Sequence, residues 1–306
     1  MDRKRRKSSI IKDIPVEQAD VVLLGIPNDK HSSGYLGSAL APRMICDELY
    51  YQVEELVKFS GREGGEMRIC DLIVIAEKHL AVEKMTPKTM IKRVMGEVYD
   101  LICDGKYVVS LGGSHSVSVG SIAAHHRFYP GMLVVQLDAH FDFRRNDGDF
   151  MQGRPDSYAH CTVMRNIHAM NIPIIQAGVR IDSDIELEFV RKHNMERNVF
   201  RANLRDEKCD IVEAIRTQEV YLTLDTDVLD SALVATGTPE NRGWSWRKLY
   251  DFLEMLFSRK RVIGFDVVEV CPGPDFSPAF GKQTCYEIAQ LIYWMLGQKF
   301  YSKFCK

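Results

Sequence analysis

The sequence has no excess of charge, no long apolar run and no paired-cysteine motif, and each absence closes off a class of function. Lys and Arg total 40 against 42 for Asp and Glu, a formal net charge of −2. That balance gives no electrostatic argument for nucleic acid or a membrane surface as a partner. No apolar run approaches the roughly 18 residues of a transmembrane helix. The basic start Met1-Asp2-Arg3-Lys4-Arg5-Arg6-Lys7 is not followed by an apolar core, so no signal peptide is expected. Residues 1–15 are expected to form a flexible, solvated tail. The eight cysteines, at 46, 70, 103, 161, 209, 271, 285 and 305, include no Cys-x-x-Cys, so a thiolate zinc site is not indicated. Without a secretory signal, reduced thiols in a cytoplasmic protein are the expectation, most of them small core residues. Gly112-Gly113 belongs to neither Gly-x-Gly-x-x-Gly nor a Walker loop, so a phosphate cradle is disfavoured.

What is present is an alternation of strand and helix. Apolar, β-branched runs at 21–27, 67–75, 107–111, 132–137, 172–177, near 199, 220–224 and 262–268 are expected to be strands. Helices are expected over 43–59, 86–103, 117–128, 162–170, 184–193, 208–217, 245–258 and 283–296. Pro87 sits in a first turn, where its missing N–H costs nothing, and Ser245 is placed to cap. Segments 28–42, 143–157 and 229–244 are rich in turn residues, and the first of these is expected to wall the site. With no linker and no repeat, the pattern argues for one α/β domain with a mainly parallel sheet.

Four of the apolar runs end in side chains suited to a metal or a cation. The 132–137 run leads into Asp138-Ala139-His140-Phe141-Asp142, and the 220–224 run into Asp225-Thr226-Asp227. The 107–111 run leads into Gly112-Gly113-Ser114-His115, and the 262–268 run into Glu269. Residues two apart on an extended chain share a face. Asp138, His140 and Asp142 therefore share one if the strand continues, and stay close if it turns. A lone Asp at a strand end is more often solvated. In parallel sheets, however, functional groups gather at the carboxyl ends of strands, and here four ends deliver four Asp, two His and a Glu. Carboxylate with imidazole is a hard-to-intermediate donor set that suits Mn²⁺. The set exceeds what one ion needs and fits a pair, hence metal-assisted hydrolysis. Glu269 is left over to receive a cationic substrate, because guanidinium pairs with carboxylate in bidentate fashion. His160, on the loop leaving the pentapeptide, is a candidate for proton transfer.

These motifs together resemble the ureohydrolase family of arginases and agmatinases. The resemblance rests on Leu111-Gly112-Gly113-Ser114-His115-Ser116, Asp138 to Asp142, Leu224-Asp225-Thr226-Asp227-Val228-Leu229-Asp230 with Ala235-Thr236-Gly237-Thr238-Pro239, and Val268-Glu269-Val270-Cys271-Pro272. It implies an arginase-like three-layer α/β/α sandwich around a mainly parallel sheet of about eight strands. It also implies two Mn²⁺ per chain, one held by His115, Asp138, Asp142 and Asp225, the other by Asp138, His140, Asp225 and Asp227. Metal-activated water would then attack a guanidinium carbon. Asp142 would help move a proton to the leaving amine, His160 would shuttle protons and Glu269 would orient the guanidinium. Ser114, Cys161 and Asn241-Arg242-Gly243 depart from the family pattern without removing a ligand.

The segment 158–165 and the early loop 36–42 are similar to those of agmatinases, so agmatine, cleaved to putrescine and urea, is the expected substrate. Arginine or another guanidino acid is the alternative, for which Arg144 or Arg145 would meet a substrate carboxylate. A metal-dependent deacylase of the same fold would keep only one ion, and a non-catalytic relative would have lost ligands. The resemblance also implies a homo-oligomer, a trimer or a hexamer.

Overall fold

The strand Val21–Ile26 (β1) is buried along its whole length. Its residues divide between two cores: Val21 and Leu23 pack on one side of the sheet, Val22, Leu24 and Ile26 on the other. A strand covered on both faces by apolar side chains is the mark of a parallel sheet between two layers of helix. The computed structural model describes residues 10–30, 32–53, 56–58, 66–69, 72–149, 154–202 and 208–301. Within them the further strands are β2 (Leu56–Lys58), β3 (Glu66–Arg68), β4 (Ile75–His79), β5 (Tyr107–Gly112) and β6 (Leu133–Leu137). They continue as β7 (Ile174–Val179), β8 (Val199–Arg201), β9 (Glu219–Asp225) and β10 (Arg261–Val268). Eight of these strands form one sheet in the order β4-β1-β5-β10-β9-β6-β7-β8. Every pairing in it is parallel.

The helices are α1 (Ala41–Tyr51), α2 (Pro87–Cys103), α3 (Ser118–Phe128), α4 (Val163–Ala169), α5 (Asp184–Lys192), α6 (Lys208–Ala214), α7 (Trp246–Arg259) and α8 (Pro278–Tyr301). Side chains of α1, α6, α7 and α8 join one core, and those of α2, α3, α4 and α5 join the other. The three-layer α/β/α arrangement expected from the sequence is therefore what the chain adopts. The start signals were legible. Thr86 Oγ1 accepts from the Thr89 N–H at 3.3 Å ahead of Pro87, and Ser245 Oγ accepts from the Lys248 N–H at 3.2 Å. Among the described residues no helix is long and apolar enough to cross a membrane.

Three boundaries differ from expectation. The helix expected over 43–59 ends at Tyr51, where the Gln52 and Val53 N–H groups both turn back onto the Glu48 carbonyl. Val53 is buried beyond the helix end, so its apolar character reports the core and not a continuing helix. Leu56 then pairs with Arg68 in the antiparallel ribbon β2–β3. Of the strand expected over 67–75, only Met67 and Arg68, in β3, and Ile75, the first residue of β4, are strand among the described residues. The last helix starts at Pro278, five residues before the expected Gln283, because Ser277 Oγ accepts from the Phe280 N–H at 3.2 Å and Pro278 fits the first turn. Residues 54, 55 and 59 of the expected helix and 1–9 of the expected flexible tail lie outside the described residues; the remainder of that tail is not flexible and solvated, since Ile10 and Ile11 are buried and Ile11 bridges Ile75.

His125 on α3 is 1% exposed and packs against Tyr221, the ring centroids 4.6 Å apart and the planes tilted by 59°. Its Nδ1–H donates to the Ser121 carbonyl at 2.8 Å, and Nε2 lies against Gly264, where a Cβ would come within 2.2 Å. Burial pushes the imidazole down to about 4. Below its ordinary value of 6.5 the unfolded chain takes up a proton that the folded chain refuses until pH falls to about 4. This contribution to stability is therefore complete above pH 6.5 and is lost as pH falls through that window. Denaturant titrations from pH 7 to pH 4 should show the native protein losing up to about 3 kcal/mol more than a His125→Gln variant. Equal losses would mean that this histidine is not held neutral.

Candidate metal centre

The four strands whose ends carry the predicted residues are neighbours in the middle of the sheet, in the order β5-β10-β9-β6. Each end turns abruptly, and each turn is held by a bond of its own. After β5, Gly113 passes so near Asn28 that a Cβ there would lie 2.2 Å from the Asn28 carbonyl oxygen, and only glycine fits. Ser114 then caps a 3₁₀ turn, His115–Val117, by accepting from the Ser116 N–H at 3.5 Å. After β6, Asp138 Oδ1 accepts from the His140 N–H at 2.7 Å, and Asp142 takes a left-handed backbone with φ 56°. The pentapeptide therefore gathers its side chains by turning, and the alternation of a continued strand plays no part. Asp225 closes β9 and accepts from the Asp227 N–H at 2.8 Å. Glu269 follows β10 at φ 62°, and its N–H donates to the Gly113 carbonyl at 2.8 Å, joining two strand ends.

The six candidate metal ligands converge. His115 Nδ1 stands 2.9 Å from Asp142, 3.1 Å from Asp225 and 3.3 Å from Asp138. His140 Nδ1 stands 3.3 Å from Asp138 and 3.4 Å from Asp227. Two groups of possible ligands result, His115 with Asp138 and Asp142, and His140 with Asp138 and Asp227, with the atoms of each group within 4.8 Å of one another. Asp138 belongs to both.

The electrostatics call for cations. Two unit charges 4–5 Å apart repel by roughly 3–4 kcal/mol at an effective dielectric constant of about 20, more than a neutral hydrogen bond returns. Burial, then repulsion from Asp138, pushes Asp142 up to about 7 and Asp225 well above the ordinary carboxylate range. Burial pushes Asp227 up to about 6, and burial with repulsion from Asp227 pushes Glu269 up to about 8. Buried His115 Nδ1, although ringed by three carboxylates, has no well-formed hydrogen bond. Despite burial, the three carboxylates hold the His115 imidazole well above its ordinary pKa. A positive charge is therefore favoured among acids that resist ionising together, and a metal pair in place of the ring proton fits the set.

Residues that the sequence reading did not single out fix the tautomer and aim of these groups. His115 Nε2 lies 2.9 Å from Thr223 Oγ1, and Thr223 gives its own proton to Asp266 at 2.6 Å. Asp266 also accepts from the Tyr221 hydroxyl at 2.9 Å. Thr223 must therefore accept from His115, which places the imidazole proton on Nε2 and frees Nδ1 for a metal. Gln136 donates to Asp138 at 2.6 Å and is itself held by Gln176. Thr236 and Thr238 donate to the two oxygens of Asp227. The available signal was polar side chains at alternate positions of apolar strands: Tyr221 and Thr223, Gln136 and Gln176, and Asp266.

A cleft of about 230 Å³ opens over the centre. His140, Asp142 and His160 line it, with Ser33, Arg144, Cys161, Ile181, Asp182, Glu186, Thr238 and Glu240 around its wall. Ser33 lies on the 28–42 loop that was expected to form a wall. Burial keeps His160 neutral by pushing it down to about 4, and its Nε2 has no hydrogen-bond partner. Glu269 lies deeper, its Oε1 accepting from the His115 N–H at 2.7 Å and its Oε2 against Gly237. A larger hollow, about 630 Å³, lies at the opposite ends of the strands, beside Lys106, Tyr107 and Arg261, away from these acids.

Comparison with known proteins bears on this site. The model of the Arginase family matches residues 19–297. This chain belongs to the arginase family. It is 29% identical over 300 residues to the N(1)-aminopropylagmatine ureohydrolase of Thermus thermophilus, covering 94% of this chain and 93% of the relative. To the agmatinase of Pyrococcus horikoshii it is 29% identical, with 93% of each covered. The crystal structure of the agmatine ureohydrolase of Thermoplasma volcanium superposes with a TM-score of 0.77 at 25% identity, covering 99% of this chain and 97% of that one. The protein is thus a hydrolase of guanidino compounds, most like the agmatinases, with the arginase fold.

In this arginase-family chain the departures from pattern have local explanations. Ser114 caps the turn bearing His115, and Cys161 Sγ lies 3.8 Å from the Asn146 carbonyl in the cleft wall. The Asn241-Arg242-Gly243 bend is held by Arg180, which the sequence reading passed over. Arg180 Nη2 donates to the carbonyls of Asp227 at 2.6 Å, Glu240 at 3.0 Å and Leu229 at 3.1 Å, and Nε donates to Asn241 at 2.8 Å. One guanidinium thus ties a candidate ligand's backbone to the loop carrying Glu240. A lysine cannot reproduce this fork of donors. Arg180→Lys should lower metal affinity by about 10–100-fold, as loss of an outer partner typically does, while leaving the circular dichroism spectrum unchanged. Undiminished metal content after gel filtration would remove this role.

Proposed function

We propose that this chain releases urea from an aliphatic guanidine carrying a second positive charge, with agmatine, cleaved to putrescine, as the first candidate. The observation that carries this reading is the charge of the cleft wall. Three carboxylates, Asp182, Glu186 and Glu240, line the wall with one cationic side chain, Arg144; Asp182 is itself paired with Arg201 at 2.5 Å, so Glu186 and Glu240 carry the wall's negative charge. Arg144 already bonds Asp149 at 2.6 Å and approaches Glu186 at 3.8 Å, and Arg145 is exposed. A substrate carboxylate would meet net negative charge, whereas a terminal ammonium would be welcomed. This weighs against arginine and other guanidino acids. The same acidic wall favours N(1)-aminopropylagmatine, the longer polyamine named for the Thermus relative, as a second reading.

Two manganese ions per chain are the cofactors this reading calls for, since every donor is a carboxylate or an imidazole. His115, Asp138, Asp142 and Asp225 would hold one, and Asp138, His140, Asp225 and Asp227 the other. Bound there, the pair would acidify water and polarise the guanidinium. The chain's own contributions are then distinct. Glu269, with one oxygen held by the His115 N–H, would orient the guanidinium through the other. His160, neutral and with Nε2 open, would carry a proton toward the leaving amine beside Asp142. A single-ion deacylase of the same fold would leave part of this donor set without a task.

Urea release by the manganese-loaded protein should be measured with agmatine, N(1)-aminopropylagmatine and arginine side by side. Urea from either amine and none from arginine is the expected result, and preference for arginine would overturn the reading. Asp138→Ala, lacking the acid common to both groups, should lose both ions and all turnover. Retention of two ions per chain would remove the assignment. Glu269→Gln should keep its metals and lose roughly 100-fold in turnover, and unchanged kinetics would end its substrate role.

A further inference from the structure

A second cluster of possible metal donors lies away from the cleft. Cys46 is fully buried on α1. Glu77 and His79 are two apart on β4 and so share a face, the one that packs under α1. A ligand atom from each of the three lies within 4.8 Å of the other two. β4 is the edge of the sheet, and β1 separates it from β5, the nearest strand that serves the candidate centre.

The cluster is built and not merely crowded. Gly25 is paired in register with His79, and a Cβ on Gly25 would lie 2.2 Å from His79 Nδ1. The ring is therefore seated in the space that a glycine leaves, with Nε2 turned to Glu77 Oε2 at 3.4 Å. The Cys46 thiol faces Glu77, and burial with the charge of Glu77 raises its pKa well above the ordinary value. The other charged groups at the cluster are Arg43 and Asp47. Arg43 approaches Glu77 at 3.8 Å and Asp47 at 3.6 Å while 61% exposed, a loose contact that can swing into solvent. His79 is 27% exposed, which leaves an entry path.

We propose that Cys46, Glu77 and His79 form an independent site for a borderline-soft divalent ion of the zinc class, clipping α1 to the edge strand β4. Sulfur, imidazole and carboxylate are the three zinc donors, and three protein ligands leave a fourth position for water. The donor set differs from the sulfur-free set of the cleft, so the two sites select different ions. Binding displaces the thiol proton to solvent, because the thiolate is the ligand. The site needs no Cys-x-x-Cys, since its donors come from a helix and a strand that meet only in the fold.

Cobalt(II) reports on it directly, because only a thiolate ligand gives a near-ultraviolet sulfur-to-cobalt charge-transfer band. Titrated with Co²⁺, the full-length protein should develop this band to one equivalent per chain, and Zn²⁺ should abolish it. Cys46→Ser and, separately, the partly exposed His79→Ala should each lose the band while urea release stays within about twofold of the native rate. Absence of the band in the native protein, or its survival in Cys46→Ser, overturns the proposal. Failure of urea release in every form, with the band behaving as expected, would count against the cleft assignment and leave this site standing.

Discussion

Mutual repulsion among buried carboxylates is the constraint on which the rest of this structure depends. Asp138, Asp142, Asp225, Asp227 and Glu269 are each no more than 4% exposed, and four adjacent strand ends force them together. No arrangement of neutral hydrogen bonds cancels several repulsions of this size. The surroundings instead hold four of the five acids in one orientation: backbone N–H groups on Asp138, Asp225 and Glu269, hydroxyls on Asp227 and an amide on Asp138. Acids so fixed, with the His115 and His140 rings turned in among them and, despite burial, pushed up by their charge, are arranged for cations.

The scaffold holds this arrangement because its rigid parts come first. Parallel strands buried on both faces keep their register, so neighbouring ends stay level: Leu137 opposite Leu224, and Asp225 opposite Val268. The loops beyond the ends are longer and less regular, yet their backbones are tied down. Arg180 spends its guanidinium on main-chain carbonyls, and so its charge reaches the site as fixed geometry and not as a counter-ion. On the reading proposed above, the cleft wall's acids and its engaged arginine would set what the far end of a substrate looks like, independently of the chemistry below.

Much of the site was legible because chemistry-bearing residues follow strands directly, at spacings of one and two. Asp138, His140 and Asp142 are close under any local backbone, so the cluster could be named even though the structure gathers it by a turn. Glu269 was legible as a single acid after an apolar run, and His160 as a histidine on the loop leaving the pentapeptide. The partners behind them were not. Asp266 and Thr223 lie 43 residues apart and meet through sheet pairing, and Cys46 on α1 comes beside Glu77 and His79 on β4 only in the folded chain. The helix end at Tyr51 and the split of the 67–75 run were misplaced for a related reason. Apolar residues there satisfy a core reached from several directions, and periodicity alone does not say from which.

By itself the sequence determined the alternation of elements, the helix caps at Thr86 and Ser245, and the donor types at each strand end. These are local matters, decided by side chains within a few residues of one another. Only the tertiary structure decided that β5, β10, β9 and β6 stand side by side, that Glu269 lies beneath His115, and that Arg144 is already engaged. Strand order follows from how crossover helices share two cores across the sheet, an energy spread over dozens of contacts far apart in the chain. No short segment records it.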